Sequence, residues 1–230
     1  GERYLFARGV DPAKDQSYVL WGVPADVLPF TMLPLGGLSK DEVRARARDL
    51  GLPVWDKEES QDLCFVGGGD YADILRSRLG REHKAFAPGG IVDESGKLLG
   101  HHQGLARYTV GQRHALGLSG PNSFRVLRLV PETNTVVVGS AARLDRGGLT
   151  ASRLHLFVPS PEIAGAPVAV KIRYRHEAAA ADARVDGERL HVRFREPQRG
   201  ITPGQSCVVY RDGFVLGGGR IEGACGCCPP

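Results

Sequence analysis

The stretch that decides the fold is Arg189-Leu190-His191-Val192-Arg193-Phe194-Arg195, in which polar and apolar residues alternate without a break. Successive side chains of a strand point to opposite faces of a sheet, so Leu190, Val192 and Phe194 share one face. The dipeptide Asp186-Gly187, which precedes the stretch, is typical of the turn of a β-hairpin. The stretch therefore predicts a half-buried antiparallel strand that follows a hairpin turn.

Two neighbouring stretches show the same period of two residues. In residues 168–175 one predicted face carries Val168, Val170, Ile172 and Tyr174, and the other carries Ala169, Lys171, Arg173 and Arg175. Residues 206–210 and 214–216 flank the turn Arg211-Asp212-Gly213, which predicts a further hairpin. Such a run of short strands predicts a small β-barrel over residues 147–225, followed by a tail at 226–230.

Residues 86–146 predict a separate small β domain. Ile91-Val92-Asp93 and Leu98-Leu99-Gly100 flank a polar turn, and residues 124–130 and 135–138 flank a second one. Each pair has the pattern of a hairpin. Residues 1–85 mix helix and loop instead, with helices predicted at 15–23, after Ser39, and from Asp70 to Leu79. Ser39 and Glu42 have the spacing of a capping box.

Composition limits the classes of function. Hydrophobic residues make up 42% and charged residues 24% of the chain, as in a soluble globular protein. There is no apolar run of membrane-spanning length and no signal peptide at the N-terminus, so no membrane partner is predicted. The five cysteines are odd in number and three of them crowd the last six residues, which favours a reducing, cytoplasmic compartment.

Residues 171–200 form a basic stripe, defined here by its eight lysines and arginines against five acidic residues. Alternation would place several of these cations on one face of the sheet, where they could contact nucleic-acid phosphates. The other interpretation is the ordinary polar outer face of an antiparallel sheet. The pattern alone leaves both open. The cations are Lys171, Arg173, Arg175, Arg184, Arg189, Arg193, Arg195 and Arg199.

Cys64 lies in Glu59-Ser60-Gln61-Asp62-Leu63-Cys64-Phe65-Val66, far from the other cysteines. A lone cysteine is most often an inert, buried residue. The polar residues before it and Gly67-Gly68-Gly69 after it favour instead a loop that a ligand can approach. A reactive thiol also needs nearby cations, for which Lys57 is a candidate. The residues themselves leave both interpretations open.

No metal site is predicted. The seven histidines have no spacing that suits metal ligands, and His101-His102 is interpreted as a solvated pair. Cys225, Cys227 and Cys228 are similar to half of a metal site, but the sequence offers no second half. An unstructured tail is the preferred interpretation.

Several motifs follow one another along the chain in an order that one known family shares. They are Lys14-Asp15-Gln16-Ser17-Tyr18, Gly36 with Lys40-Asp41-Glu42-Val43-Arg44, Ser60-Gln61-Asp62-Leu63-Cys64-Phe65, His102-Gln103-Gly104, Tyr108-Thr109-Val110-Gly111-Gln112-Arg113, Arg173-Tyr174-Arg175, Thr202-Pro203-Gly204-Gln205 and Leu216-Gly217-Gly218-Gly219. Together they resemble the motifs of the tRNA-specific 2-thiouridylases. The resemblance runs from about residue 4 to residue 223, and the shared order makes it specific although each motif alone is weak.

The resemblance implies an enzyme that replaces the C2 oxygen of the wobble uridine of tRNA with sulfur. ATP, with Mg²⁺, would adenylate that oxygen and make it a leaving group. Cys64 would carry a persulfide received from a sulfur-donor protein, either a cysteine desulfurase or a sulfur relay protein. A second cysteine, earlier in the family's chains, would form a disulfide with it. Thiolate-type nucleophiles are strong near neutral pH, which agrees with this chemistry.

The resemblance also implies which residues contact tRNA. They are Lys14, Asp15 and Gln16 in the first motif, Arg173 and Tyr174 in the predicted strand, and Gln205 in the later turn. Arg173 belongs to the basic stripe as well, so two lines of inference meet there. Tyr174 alternates to the opposite face, so its contact would require a strand end or an edge.

One departure from the family pattern limits what is expected of this chain. The family begins with an ATP-pyrophosphatase domain that contains an S-G-G-x-D-S phosphate loop, and these 230 residues contain neither that loop nor a cysteine before Cys64. The expected fold is the α/β tail of a nucleotide-binding catalytic domain (1–85) followed by two small β domains, the last a β-barrel. ATP-binding residues are expected upstream of Gly1, and the isolated chain is expected to bind tRNA without turnover. The alternative is a non-catalytic RNA-binding fragment or module in which Cys64 is structural.

Overall fold

The computed structural model describes residues 3–57, 71–80, 82–118 and 124–225. They belong to two compact units, one formed by residues 1–57 with 146–230 and the other by residues 58–145. Each unit has its own apolar core. Cys64 and the glycines at 67–69 lie outside the described residues. No helix in the described part of the chain combines the length and the apolar character that crossing a membrane requires.

The first 57 residues contain short helices. The helix predicted at 15–23 is a 3₁₀ helix, Ser17–Gly22, and a second 3₁₀ helix spans Ala25–Phe30. Helix α1 spans Lys40–Asp49, and its predicted capping box is confirmed. The Glu42 amide donates to the Ser39 hydroxyl at 3.3 Å, and the Ser39 amide donates to the Glu42 carboxylate at 2.7 Å. This reciprocal pair satisfies two amides that the first turn of a helix leaves without a partner.

The unit of residues 58–145 is a four-stranded sheet with short helices. Helix α2 spans Tyr71–Leu79, and the 3₁₀ helices span Lys84–Phe86, Leu105–Arg107 and Ala141–Leu144. The strands are β1 (Gly89–Val92), β2 (Leu98–His102), β3 (Arg125–Val130) and β4 (Thr135–Gly139), in the spatial order β2-β1-β4-β3. Both predicted hairpins are confirmed as antiparallel pairs, and they join through the parallel pair β1–β4.

His102 corrects one sequence-based prediction, because it is not part of a solvated pair. His101 is exposed, whereas His102 is fully buried. Its Nδ1 accepts a hydrogen bond from the Gly104 amide at 3.1 Å, which leaves Nε2 to donate to the Asn134 carbonyl at 3.0 Å. With one ring nitrogen as acceptor and the other as donor, the imidazole links the end of β2 to the β3–β4 turn.

The unit formed by residues 1–57 with 146–230 contains the predicted barrel. Its strands are β5 (Asp145–Leu156), β6 (Val168–Lys171), β7 (Ala179–Asp186), β8 (Arg189–Arg199), β9 (Ser206–Arg211) and β10 (Phe214–Cys225), and helix α3 spans Ser160–Ile163. The strands close in the order β10-β5-β8-β7-β6-β9. In β8 the predicted alternation is confirmed, since Leu190, Val192 and Phe194 are buried in the barrel core.

The N-terminal segment covers part of the barrel's outer surface. Cys207 and Val209 of β9 point into the barrel core, while Val208 and Tyr210 point outward and are equally buried. The outward pair packs in a second apolar cluster with residues of the N-terminal segment, among them Phe6, Tyr18 and Leu28. Backbone bonds of 2.8 Å from Arg8 to Gly213 and from Val215 to Phe6 fix the segment along β10. Strand β9 is thus buried on both faces, which explains its continuous apolar sequence.

Candidate nucleic-acid interface

Asp15 fixes the first motif, Lys14-Asp15-Gln16-Ser17-Tyr18, to the preceding residues Arg8 and Gly9 of the N-terminal segment. Its side chain is 1% exposed and accepts hydrogen bonds from the Ser17 amide at 2.9 Å, the Gly9 amide at 3.2 Å and Arg8 Nε at 3.1 Å. Burial disfavours the ionised form, but the hydrogen bonds from Ser17, Gly9 and Arg8 outweigh it and lower the pKa of Asp15 below its ordinary value. The buried carboxylate therefore holds the chain around it in place, and its oxygens already have partners.

Tyr18 connects this motif to the Thr202-Pro203-Gly204-Gln205 motif. Its hydroxyl donates a 2.9 Å hydrogen bond to the carbonyl of Ser206, the residue that follows Gln205. Ser17 shares a 3.3 Å hydrogen bond with the hydroxyl of Tyr210, four residues further along β9. Burial raises the pKa of both Tyr18 and Tyr210 to about 12, so both hydroxyls keep their protons at neutral pH.

The Thr202–Gln205 motif is a tight turn. The Gln205 amide donates to the Thr202 carbonyl at 3.2 Å, and Gly204 has a φ of +85°, a conformation that L side chains rarely adopt. Arg220 braces the turn through a 2.8 Å bond to the Gly204 carbonyl. The backbone of Gln205 is fixed in this way while its side chain is exposed. The turn thus presents an amide side chain on a rigid support.

The Arg173-Tyr174-Arg175 motif lies beyond the end of a strand, which corrects the predicted strand 168–175. Strand β6 ends at Lys171, and residues 173–176 form a turn in which the His176 amide donates to the Arg173 carbonyl at 3.2 Å. Arg173 and Arg175 are exposed, and residue Tyr174 is 40% exposed. Tyr174 therefore follows the end of a strand, which is a position from which its side chain can reach a ligand.

These three motifs meet around one aromatic ring. The Tyr18 ring lies 6.5 Å from the Tyr174 ring between centroids, and its hydroxyl binds the backbone next to Gln205. Five of the six residues implied as tRNA contacts are exposed in this region, and Asp15 is buried beneath it. We call this region the motif cluster, and its exposed members are Lys14, Gln16, Arg173, Tyr174 and Gln205.

The basic stripe proves to be less uniform than its sequence. Lys171 is only 6% exposed, so it does not belong to a solvent-facing row of cations. Arg193 and Arg195 both pair with Asp182 on β7, at 3.4 and 3.1 Å. Arg189 pairs with Glu222 on β10 at 3.4 Å. Cross-strand acids therefore neutralise much of the charge on this part of the barrel, and the motif cluster is the better candidate for contact with an anion.

The Leu216-Gly217-Gly218-Gly219 motif has a packing role in this structure. A Cβ at Gly218 would lie 2.9 Å from the Trp21 ring and 2.7 Å from the Cys207 carbonyl oxygen, and one at Gly219 would lie 2.8 Å from the Ser152 carbonyl oxygen. The glycines therefore let the 3₁₀ helix Ser17–Gly22 and strand β5 approach β10 closely. This approach holds the first motif against the barrel.

Three residues that support the motif cluster were not predicted from the sequence, namely Arg8, Lys171 and Tyr210. Arg8 ion-pairs with Asp15 and lies over the Tyr210 ring, with 5.5 Å from its Cζ to the ring centroid. Lys171, whose Nζ lies 5.8 Å from the centroid of the Tyr18 ring, was assigned to the stripe rather than to this site. No local signal marked Tyr210, whose partner Ser17 is 193 residues away, and no motif included Arg8 although Asp15 is only seven residues further on. The apolar outward positions of β9 were the available sign that another segment covers that strand.

Family models match three consecutive parts of the chain. The model described as the tRNA methyl transferase HUP domain matches residues 1–68, and the tRNA methyl transferase PRC-barrel domain matches residues 79–140. The aminomethyltransferase beta-barrel domain matches residues 146–221. The predicted fold class is therefore confirmed: the chain combines the end of an α/β nucleotide-binding type of domain with two small β domains, the last a β-barrel.

Curated relatives specify the family. The chain is 47% identical over 222 residues to the tRNA-specific 2-thiouridylase MnmA of Moorella thermoacetica, which covers 96% of the chain and 61% of the relative. The MnmA proteins of Carboxydothermus hydrogenoformans and Chlorobium phaeobacteroides are 43% and 41% identical, again over 96% of the chain and over 60% and 62% of their own lengths. The chain belongs to the tRNA-specific 2-thiouridylase family, and it spans about three fifths of the length of these relatives.

Proposed function

We propose that this chain provides the tRNA-binding surface and the sulfur-carrying cysteine for 2-thiolation of the wobble uridine of tRNA. Membership of the 2-thiouridylase family supports the reaction. The observation that carries the proposal is the meeting of three separate motifs around Tyr18. Those motifs are far apart in sequence, yet they present a lysine, an arginine, two glutamines and a tyrosine together.

The exposed members of the motif cluster suit an RNA ligand. Arg173 and Lys14 supply positive charge for phosphates, and contacts of this kind contribute affinity that depends on salt. Tyr174 offers an exposed ring on which an unstacked base can lie, as is common in recognition of single-stranded RNA. Gln16 and Gln205 each offer both a donor and an acceptor to base edges or the 2′-hydroxyl. The neutral Tyr18 and the buried Asp15 hold these groups in place.

Cys64 is proposed to carry the sulfur. It would hold a persulfide received from a cysteine desulfurase or a sulfur relay protein, and the terminal sulfur would bond to C2 of the uridine as the bond from C2 to its activated oxygen breaks. The target base has to leave its stack to be reached, and loop positions such as the anticodon make this less costly. A disulfide with a second cysteine of the whole protein would complete the transfer, so a reductant is needed before the next turnover.

The motif cluster does not fit a nucleotide site. These 230 residues contain no S-G-G-x-D-S loop, and the motif cluster has no glycine-rich turn at the start of a helix that could cradle phosphates. We therefore assign no step of ATP activation to this part of the protein. In the whole protein, ATP with Mg²⁺ would activate the C2 oxygen, while the residues described here bind and orient the tRNA.

Binding of an unmodified tRNA with a wobble uridine, measured by fluorescence anisotropy at several salt concentrations, tests the binding part. We expect saturable binding by the 230-residue chain that weakens with salt, and no thiolation when ATP and a sulfur donor are added. Thiolation by this chain alone would contradict the assignment of ATP activation elsewhere. In the whole protein, Cys64→Ser should abolish thiolation and leave tRNA affinity unchanged. Retained thiolation would instead favour an RNA-binding module with a structural Cys64.

A further inference from the structure

Lys171 occupies an unusual position for a cation. Its side chain is on the outward face of β6, opposite Val208 of β9, and is 6% exposed. Among the residues that the structure describes, no carboxylate lies within ion-pair distance of its ammonium group. A buried ammonium is costly unless the surrounding groups stabilise it. The charge of Lys171 therefore requires stabilisation by neighbouring groups.

Two aromatic rings are the near partners of this ammonium. Lys171 Nζ lies 5.8 Å from the centroid of Tyr18 and 5.8 Å from the centroid of Tyr174, and the two centroids are 6.5 Å apart. The three points form a nearly equilateral triangle with the cation within reach of both ring faces. At this distance a cation is attracted by the quadrupole of an aromatic ring, and more strongly when water is excluded.

The two rings differ in how firmly other contacts fix them. Tyr18 is 6% exposed and its hydroxyl is hydrogen-bonded to the Ser206 carbonyl, so packing and this bond fix the orientation of its ring. Tyr174 follows the end of β6, is 40% exposed, and has its backbone in a turn. The ammonium therefore adds a restraint chiefly to Tyr174, the ring whose exposed side is available to a base.

More distant charges balance the site. Burial lowers the pKa of Lys171, the carboxylate of Asp15 opposes that effect, and the guanidinium of Arg8 adds to it. Asp15 is itself held by Arg8 and by two backbone amides. The same buried acid thus organises the first motif and stabilises the charge that faces the two tyrosines.

We propose that Lys171 is a positioning residue of the tRNA-binding surface: it holds the Tyr174 ring against Tyr18 so that the exposed face of Tyr174 is oriented to stack on an RNA base. The proposal rests on the proposed function for its ligand. Lys171 itself is too buried to contact a phosphate, so its effect on binding passes through Tyr174. An ordered ring loses less conformational entropy when a base stacks on it.

Lys171→Met and Lys171→Arg are the informative variants. Methionine keeps the length of the side chain and removes the charge, so we expect no loss of thermal stability, because a desolvated ammonium is removed. tRNA affinity should nevertheless fall about tenfold, a loss within the range of a cation–π contact. Arginine retains a cation that can lie over aromatic rings, so Lys171→Arg should recover most of that affinity. Lys97→Met, at an exposed lysine in the β1–β2 turn, is the matched control for loss of one charge and should change affinity less than twofold.

The salt dependence of binding separates positioning from direct contact. A lysine that contacts a phosphate contributes about one unit to the slope of log affinity against log salt. Lys171→Met should therefore weaken binding without changing this slope. In a Tyr174→Ala background, Lys171→Met should cause no further loss of tRNA affinity, because the ring that Lys171 positions is absent. A slope reduced by about one unit, or additive losses, would overturn the proposal.

A fluorinated tyrosine at position 174 gives a readout that needs no RNA. We expect one sharp ¹⁹F signal in the native chain and a shifted or broadened signal in Lys171→Met. An unchanged signal would overturn the positioning role. If Tyr174→Ala weakens tRNA binding but Lys171→Met does not, the proposed function stands and this inference fails. If the native chain does not bind tRNA, the proposed function fails and the base-stacking role of Tyr174 fails with it.

Discussion

The hydroxyl of Tyr18 donates a hydrogen bond to the carbonyl oxygen of Ser206 across 2.9 Å, and these residues are 188 positions apart in the chain. The bond joins the 3₁₀ helix Ser17–Gly22 to the first residue of β9. Because Gln16 lies two residues before Tyr18 and Gln205 directly before Ser206, this one contact brings two exposed glutamines into the same surface. The shape of the candidate interface therefore depends on a buried contact next to it.

Tyr18→Phe should weaken both stability and tRNA binding. The substitution leaves the Ser206 carbonyl without its partner, which costs about 1–2 kcal/mol in the free energy of unfolding. Urea unfolding of the 230-residue chain measures this loss, and fluorescence anisotropy measures the accompanying fall in tRNA affinity. Tyr174→Phe is the matched control, because it removes a hydroxyl from a residue that is 40% exposed. Tyr174→Phe should change the free energy of unfolding by less than about 0.5 kcal/mol. An equal loss of unfolding free energy in Tyr18→Phe and Tyr174→Phe would contradict the assigned role of the Tyr18 hydroxyl.

Asp15→Ala should destabilise the chain at neutral pH, since it removes the acceptor of the hydrogen bonds from two backbone amides and from Arg8. We expect a loss of about 3 kcal/mol. The pKa of Asp15 is lowered in the folded state. The stabilisation by its ionised form is therefore present above the ordinary pKa near 4 and is lost as the pH falls through the lower, folded pKa.

The difference in stability between the native chain and Asp15→Ala should accordingly shrink between pH 5 and pH 2. Urea unfolding across that range provides the measurement. Asp26→Ala, at an exposed aspartate of the second 3₁₀ helix, is the control and should be nearly neutral at every pH. A difference for Asp15→Ala that stays constant with pH would show that the ionised carboxylate is not the stabilising group.

Gly218→Ala should displace the first motif from the barrel. The added Cβ would lie 2.9 Å from the Trp21 ring and 2.7 Å from a backbone oxygen, and crowding of this kind costs about 1–3 kcal/mol. In a Trp55→Phe background, the emission of Trp21 should shift to longer wavelength and tRNA affinity should fall. Gly223→Ala, in the same strand with nothing within 4 Å of its added Cβ, is the matched control. Equal effects at both positions would contradict the packing role of Gly218.

Arg211→Met should separate stability from binding. The guanidinium donates to the carbonyls of Glu162 at 2.6 Å and of Ile163 and Ala166 at 3.2 Å, where α3 ends and leaves its last carbonyls without helical partners. Removal should cost about 2 kcal/mol of unfolding free energy. Below the melting temperature, tRNA affinity should remain within twofold of the native value, because Arg211 does not hold the motif cluster. A large loss of affinity with intact folding would extend the interface to this end of the barrel.

Local patterns in the sequence accounted for much of the fold. The Ser39–Glu42 capping box, the alternation through Leu190, Val192 and Phe194, and the hairpin turns each depend on residues a few positions apart, and all of them are confirmed. Interactions between distant segments decided the remaining features. The sequence pattern places Lys171 on a solvated face, but Tyr18, from a distant segment, packs against it. The pattern also predicts a solvated His102, but its ring is hydrogen-bonded to the carbonyl of Asn134, 32 residues later.

The candidate site was predictable in its composition but not in its arrangement. The motifs implied Lys14, Asp15, Gln16, Arg173, Tyr174 and Gln205 as tRNA contacts, and this assignment stays a proposal. No pattern in the sequence showed that Asp15 would be buried under the others or that Arg8 would bind it, because both facts follow from how the N-terminal segment packs on β9 and β10.

The central claim is that the motif cluster, rather than the general charge of the barrel, binds tRNA. Its most direct test compares the tRNA affinity of two triple variants of the 230-residue chain by fluorescence anisotropy. One variant replaces Lys14, Arg173 and Gln205 with alanine, and the other replaces Arg189, Arg193 and Arg195. The first should lose affinity on the order of 30-fold, and the second should lose less than about threefold because its cations are paired with acids. The second variant removes three positive charges and the first removes two, so a larger loss in the second would contradict the claim.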